Sequence, residues 1–234
     1  MDRTPGPRSP GEAVIPHHKL VLAYCIAEQQ SQIRIPRRGV EGAQVQGIDV
    51  GMLRCFVSDF GGRMPEGRLP EMVKDFSQVL QRIFEQAAII PFRFPTVVES
   101  EEVLRQFLES RSVDYSSALH RLRNKVQMDV RVTFEPSGVP ENSVQSGKSY
   151  LEHRRARYQE AQSILKEFRR ASDSLAEKWV ERDTPSGIRG FALVDRSSLP
   201  VFLEKIGRVP TPAGISARIT GPWPPSEFVE TGHE

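Results

Sequence analysis

An α+β protein of two lobes is what the 234 residues predict, and three observations carry that expectation. Segments whose apolar residues alternate with period two are interleaved along the chain with segments of helical period. Proline- and glycine-rich stretches separate them at turn-like intervals. Apolar residues make up 38% of the chain and charged residues 26%, the composition of a globular domain with a real core. This length accommodates one large domain or two small ones.

The elements follow in order. Residues 1–17 hold four prolines and two glycines without the apolar stretch of a signal peptide, and are expected to be a disordered leader. The chain is therefore expected in the cytosol. Lys19 to Glu28 alternates Leu20, Leu22, Tyr24 and Ile26 and reads as a central strand. Residues 29–42 form a loop, and Gln44 to Val50 with Met52 to Phe60 a hairpin turning near Gly51. From Leu69 or Pro70, residues Met72, Phe76, Val79, Leu80, Ile83, Phe84 and Ala87 recur every three or four positions. That is an amphipathic helix with proline in its first turn. Ala88 to Ser100, broken by Pro91 and Pro95, reads as an edge or irregular strand. Ser100 is placed to cap a helix whose buried stripe is Val103, Leu104, Phe107 and Leu108. A first lobe over residues 18–113 and a second over 114–229 follow from a boundary near 111–116.

The second lobe opens with a short linking helix around Ser117 to Asn124. A strand at Val126 to Phe134 and a polar loop come next. Tyr158, Ala161, Leu165, Phe168, Ser172, Leu175 and Trp179, spaced three and four apart, predict one long helix over 147–181. Such a helix would span about 50 Å and project from a small domain. A strand at Ile188 to Val194, a helix at Ser198 to Ile206 capped by Ser198, and a strand through Ile215, Ala217 and Ile219 complete the chain before a tail at 230–234. The last strand runs into Gly221, Pro222, Trp223, Pro224 and Pro225, a rigid run predicted to bury Trp223. Arg93, between Phe92 and Phe94, is predicted to be partly buried and to need an acidic or carbonyl partner.

Chemistry-bearing patterns are sparse. Five histidines lie apart from any second ligand at metal-binding spacing, so no metal site is expected. The glycines lack the strand–loop–helix setting of a phosphate cradle, and no serine sits in a nucleophile elbow. Cys25 and Cys55 read as reduced thiols in strands. Between Lys148 and Lys178 eight Lys/Arg face five Asp/Glu, a net excess of three. A nucleic-acid-binding module using this basic helix is thus one alternative, although a solvated helix face explains the charge more simply. A formal net charge of +2 gives no general reason to expect a nucleic-acid or membrane partner. No catalytic residue or cofactor-binding set is assigned.

Four stretches, in order, carry a family resemblance. They are Leu20 to Glu28 (LVLAYCIAE); Ile90-Pro91-Phe92-Arg93-Phe94-Pro95-Thr96-Val97; Ser146 to Leu151 with Arg154 and Arg155; and Thr220 to Pro225 with Phe228 and Val229. Over about Lys19 to Val229 the chain resembles the gas vesicle protein family GvpL/GvpF, the closing stretch most specifically. Pro95 stands where the family usually has glycine, Ser226 where it has tyrosine, and Asp75 and Phe76 where relatives often have histidine. The resemblance implies a non-enzymatic accessory protein of gas vesicle formation, cytoplasmic or on the gas vesicle, with lobes of ferredoxin-like character. It further implies binding of the small hydrophobic shell protein through the N-terminal lobe, and of other accessory proteins, early in assembly. Neither cofactor, nucleic acid, membrane nor small-molecule substrate is implied. A ferredoxin-like ligand sensor remains a further alternative by fold analogy alone. The structural candidates that the motifs single out are Pro91, Arg93 and Phe94; Gly147 and Tyr150; and Gly221, Pro222, Trp223, Pro224, Pro225 and Phe228.

Overall fold

The computed structural model describes residues 20–63, 67–134 and 147–229. The expected leader, the polar loop after Phe134, Ser146 and the tail lie outside them. So do the side chains of residues 147–151, 153 and 154.

β1 (Leu20–Glu28) is buried on both faces because it lies inside a sheet covered on each side. β2 (Val45–Val50) and β3 (Leu53–Phe60) form the expected hairpin. Gly51 turns it with φ +56, a conformation that glycine adopts without steric cost. α1 (Leu69–Phe84) begins with proline in its first turn and buries Met72, Phe76, Val79, Ile83 and Phe84. β4 (Ile90–Val98) pairs antiparallel with β1 and forms a sheet edge, as its prolines require. α2 (Glu101–Ser110) starts at Ser100, whose hydroxyl accepts from the Val103 amide at 3.2 Å. Leu104 and Leu108 are buried, whereas Val103 and Phe107 of the expected stripe are exposed. α3 (Ser112–Arg121) follows at once and starts earlier than the sequence suggests; it packs on β1 and β3.

The second half runs β5 (Lys125–Phe134), α4 (Gly147–Ser172), β6 (Ala176–Thr184), β7 (Gly187–Asp195), α5 (Leu199–Gly207) and β8 (Ile215–Trp223). The long helix stops at Ser172 after 26 residues, not at 181. The Ser172 hydroxyl bonds back to the carbonyls of Phe168 at 2.9 Å and Arg169 at 3.0 Å, which competes with helix continuation. The Leu175 amide then closes a turn onto the Ser172 carbonyl. Beyond it the chain pairs with β7, so Trp179 belongs to a strand. Its indole lies over Gly190, where a Cβ would come within 2.6 Å of the ring. The Ser198 hydroxyl makes no cap bond; Asp195 instead accepts from the Ser197 amide at 2.9 Å.

Two antiparallel four-stranded sheets result, ordered β2-β3-β1-β4 and β6-β7-β5-β8. Counted within its own half, each sheet has the same strand order. The largest cluster of buried side chains joins the α1 face of the first sheet to the α4/α5 face of the second. Arg196 ties the halves further: its guanidinium lies 4.6 Å from the Phe84 ring centroid and donates to the Phe84 carbonyl at 3.0 Å. Arg123 and Glu28 form a forked ion pair at 2.7 Å beside it. On its other face the first sheet is covered by α2 and α3. The outer face of the second is covered by Leu122 and the closing segment.

Candidate functional site

The three motif stretches that can be followed occupy different places. β4 lies at the edge of its sheet, with Pro91 opposite Cys25 and Thr96 opposite Ala23. Phe94 points into the core and meets Phe76 edge-on at 5.2 Å, and Phe76 stacks on Tyr24 at 5.0 Å. Arg93 departs from expectation. It is exposed, because alternation along an edge strand turns it away from the Phe94 side. Its carbonyl accepts from the Thr96 hydroxyl at 2.7 Å, and the Phe94–Pro95 peptide is cis. Gly147 is the first residue of α4 and Tyr150 lies in its first turn.

The closing segment docks through Phe228 rather than Trp223. Trp223 ends β8, a sheet edge, and remains 44% exposed with its indole nitrogen donating to the Thr220 hydroxyl at 3.4 Å. That corrects the expected burial: an edge strand offers its last side chain a neighbour on one side only. Phe228 is 6% exposed, packed with Leu122, Phe191 and Leu193. Pro225 is also buried and Pro222 and Pro224 partly so. Gly221, at φ +128, is required sterically, since a Cβ there would stand 2.8 Å from the Gln127 carbonyl oxygen. The following Gly221–Pro222 peptide is cis.

Beneath this segment lies a polar network that sequence reasoning missed. Gln127 and Asp129 occupy the outward positions of β5, opposite Val126, Met128 and Val130, and would ordinarily face water. The chain folding back over them buries both. The Gln127 amide donates to Asp129 at 2.9 Å and its carbonyl accepts from the Glu227 amide at 3.0 Å. Asp129 is also ion-paired with Arg189, whose guanidinium stacks 4.8 Å from the Phe191 ring centroid. The buried side chains of Gln127 and Asp129 thus find partners.

A second feature lies in the segment that the sequence predicts as a loop. Between residues 37–42 and the outer side of α1 lies a cleft of about 420 Å³, lined by Arg37, Arg38, Gly39, Gly42, Asp75, Gln78 and Arg82. The loop is pinned from below: the buried Tyr24 hydroxyl accepts from the Val40 amide at 2.9 Å and bonds Ser58 at 2.9 Å. Burial pushes the Tyr24 hydroxyl above its ordinary pKa, keeping it protonated. Gln86 of the turn after α1 holds the same loop through the Arg34 amide at 2.8 Å. Pro36 and Gly39 around the Arg37-Arg38 pair were the available sequence signal for a fixed basic loop.

Three cations of the basic face of α4 have partners within the fold. Arg157 stacks 4.8 Å from the Phe134 ring centroid, Arg169 lies 3.8 Å from Glu181, and Arg170 pairs with Glu167 at 2.7 Å. Among the described residues no group of three or more His, Cys, Asp or Glu converges as metal ligands would, and no helix is long and apolar enough to cross a membrane. Several apolar side chains stand in solvent on the outer side of the first half, among them Val103, Phe107 and Val113.

Comparison with known proteins places these features. Residues 20–230 match the family described as gas vesicle synthesis protein GvpL/GvpF. The chain is similar to gas vesicle protein L of a Streptomyces species, 25% identical over 191 residues that make up 71% of each chain. It is similar to gas vesicle protein F1 of Halobacterium salinarum, 26% identical over 216 residues, covering 90% of this chain and 92% of the relative. In fold it is similar to GvpF of Anabaena, with a TM-score of 0.73 at 15% identity over 92% of this chain and 98% of that one. GvpF of Microcystis aeruginosa gives 0.70 at 14% identity over 90% and 99%.

Proposed function

Because the chain belongs to the GvpL/GvpF family of gas vesicle synthesis proteins, we propose that it is an accessory protein that binds the small hydrophobic shell protein and its fellow accessory proteins early in vesicle assembly. The single observation that carries this reading is the family match across residues 20–230. Both halves of the chain are included in it, so the gas vesicle role is not borrowed from one fragment.

The reading assigns the chain no catalytic step and places it in the cytoplasm, on or near growing vesicles. Support comes from how its polar side chains are used. Among the buried ones, Gln127, Asp129 and Tyr24 hold the closing segment and the 29–43 loop in place. The shell-binding surface is assigned to the first half. Val103, Phe107 and Val113 in solvent and the open edge of β4 suit contact with an apolar partner. Lobes of ferredoxin-like character belong to the same proposal, supported by the order strand, helix, two strands, helix, strand in the second half. The packing of α3 on β1 and β3 favours a junction between the lobes near Arg123 rather than near residue 113.

Co-expression of the tagged chain with the shell protein, followed by affinity capture, tests the proposal. Shell protein retained on the tagged chain and absent from an untagged control is the expected result. Capture of neither the shell protein nor any sister accessory protein would overturn it.

A further inference from the structure

We propose that the arginine-lined cleft between residues 37–42 and α1 is a docking site for an acidic segment of a partner protein, whose Asp or Glu carboxylates lie between Arg37, Arg38 and Arg82. This partner assignment rests on the assembly reading above.

The charge in the cleft is unbalanced. Among the described residues its lining holds three arginines and one acidic residue, Asp75, and none of the three arginines is ion-paired. The neighbouring Arg68, by contrast, reaches Glu41 at 3.5 Å and Glu71 at 3.6 Å. Arginines on one lining with no ion pair offer planar, permanently charged donors whose fork matches a carboxylate.

The walls are set before any ligand arrives. Arg37 and Arg38 project from a loop whose next residue, Gly39, passes so close to Tyr24 that a Cβ would meet the hydroxyl oxygen at 2.1 Å. The bonds from Val40 to Tyr24 and from Arg34 to Gln86 hold that loop against β1 and the turn after α1. Arg82 projects from the last turn of α1. A site fixed in this way loses less entropy on binding than one assembled by its ligand.

The lining favours carboxylates over phosphates or nucleotides. Arginine forks pair with phosphates as well as carboxylates, but a phosphate cradle adds free backbone amides or a helix N-terminus. Here the Gly39 and Gly42 amides are already spent, on the Ala43 carbonyl at 2.7 Å and the Gly39 carbonyl at 3.0 Å. Asp75, Gln78 and Arg82 lie along the side of α1, beyond its first turn. Among the described residues no aromatic side chain lines the cleft, so a base has no stacking surface there. Asp75 lowers the field without cancelling it, which suits singly charged carboxylates better than a dianion.

The test uses the full chain and fluorescence anisotropy of a labelled hexaglutamate peptide, with hexaglutamine as the uncharged control and inorganic phosphate as competitor. Each exposed charge pair contributes about two- to fivefold in affinity. The triple variant R37Q/R38Q/R82Q is therefore expected to weaken hexaglutamate binding about tenfold or more. R131Q/K166Q/R218Q, which removes three exposed cations elsewhere, is expected to stay within about twofold. Asp75→Asn is expected to tighten binding, an outcome that misfolding cannot mimic. Absence of saturable binding, equal weakening by both triples, or phosphate displacing the peptide as well as free hexaglutamate does would each overturn the proposal. Shell-protein capture separates the two readings. Capture by the intact chain without hexaglutamate binding sinks the cleft and leaves the assembly role standing. Hexaglutamate binding with no capture does the reverse.

Discussion

Replacing Phe228 with alanine is expected to cost more stability than replacing Trp223, although tryptophan is the larger side chain. Phe228 is 6% exposed and Trp223 44%. A buried phenyl removes about 200 Å² from water, which at about 25 cal/mol/Å² is about 5 kcal/mol. The compactness of real unfolded chains lowers that figure. The pocket formed with Leu122, Phe191 and Leu193 is small and near the surface, so it can partly collapse, and about 3 kcal/mol is expected. Trp223 buries little more than half its surface, and water fills the space it leaves, so no cavity term is added; about 1–2 kcal/mol is expected. Urea unfolding followed by far-ultraviolet circular dichroism measures both without relying on the indole. With a urea slope near 3 kcal/mol/M for a chain of this size, the midpoint should fall by about 1 M for Phe228→Ala and by about 0.3–0.7 M for Trp223→Ala. An equal or larger loss at Trp223 would refute the assignment of Phe228 as the anchor of the closing segment.

Two further perturbations probe the same scaffold. Gly221→Ala places a Cβ 2.8 Å from the Gln127 carbonyl oxygen at φ +128 and should cost about 1–3 kcal/mol; thermal unfolding should show a fall of about 2–4 °C for each kcal/mol lost, and an unchanged midpoint would contradict the packing of β8 on β5. Burial pushes the Cys25 and Cys55 thiols above their ordinary pKa, so the native chain keeps both protons where the unfolded chain sheds them. The unfolded state then binds fewer protons, and stability is full below about pH 8.5 and falls above it by up to about 1.4 kcal/mol per pH unit for each thiol. Urea unfolding at about pH 7.5 and about pH 9.5 should show that loss. Cys25→Ala/Cys55→Ala should remove it, and a slope surviving in the double variant would assign it to other groups.

Much of the scaffold was legible because local pattern and global packing agree. Ser100 caps α2 as its position suggests, Gly51 turns the β2–β3 hairpin, and Pro91 and Pro95 mark β4 as an edge. The failures arose where a local pattern had two meanings. Leu175 and Trp179 continue the helical spacing of Phe168 and Ser172, yet the polar run Ser172-Asp173-Ser174 lies between them. The need of β7 for a second partner draws the following residues into β6. Trp223 and Arg93 were misplaced for a shared reason: burial at a sheet edge depends on what covers it, and nothing within a few residues reports that. Gln127 and Asp129 look like solvent-facing strand positions until residues 222–229 fold across them. The cleft at Arg37 and Arg38 is likewise non-local, since α1 supplies its other wall. Among the motif residues, glycine and proline positions carried the most reliable information, because their steric demands hold in any setting.

The assembly role is tested most directly by the solubility of the shell protein. Expressed alone, a small hydrophobic shell protein is expected in the pellet. Co-expressed with this chain, a fraction of it is predicted to remain in the supernatant and to elute with the chain in size-exclusion chromatography. Shell protein found wholly in the pellet, with the chain eluting alone, would contradict the account.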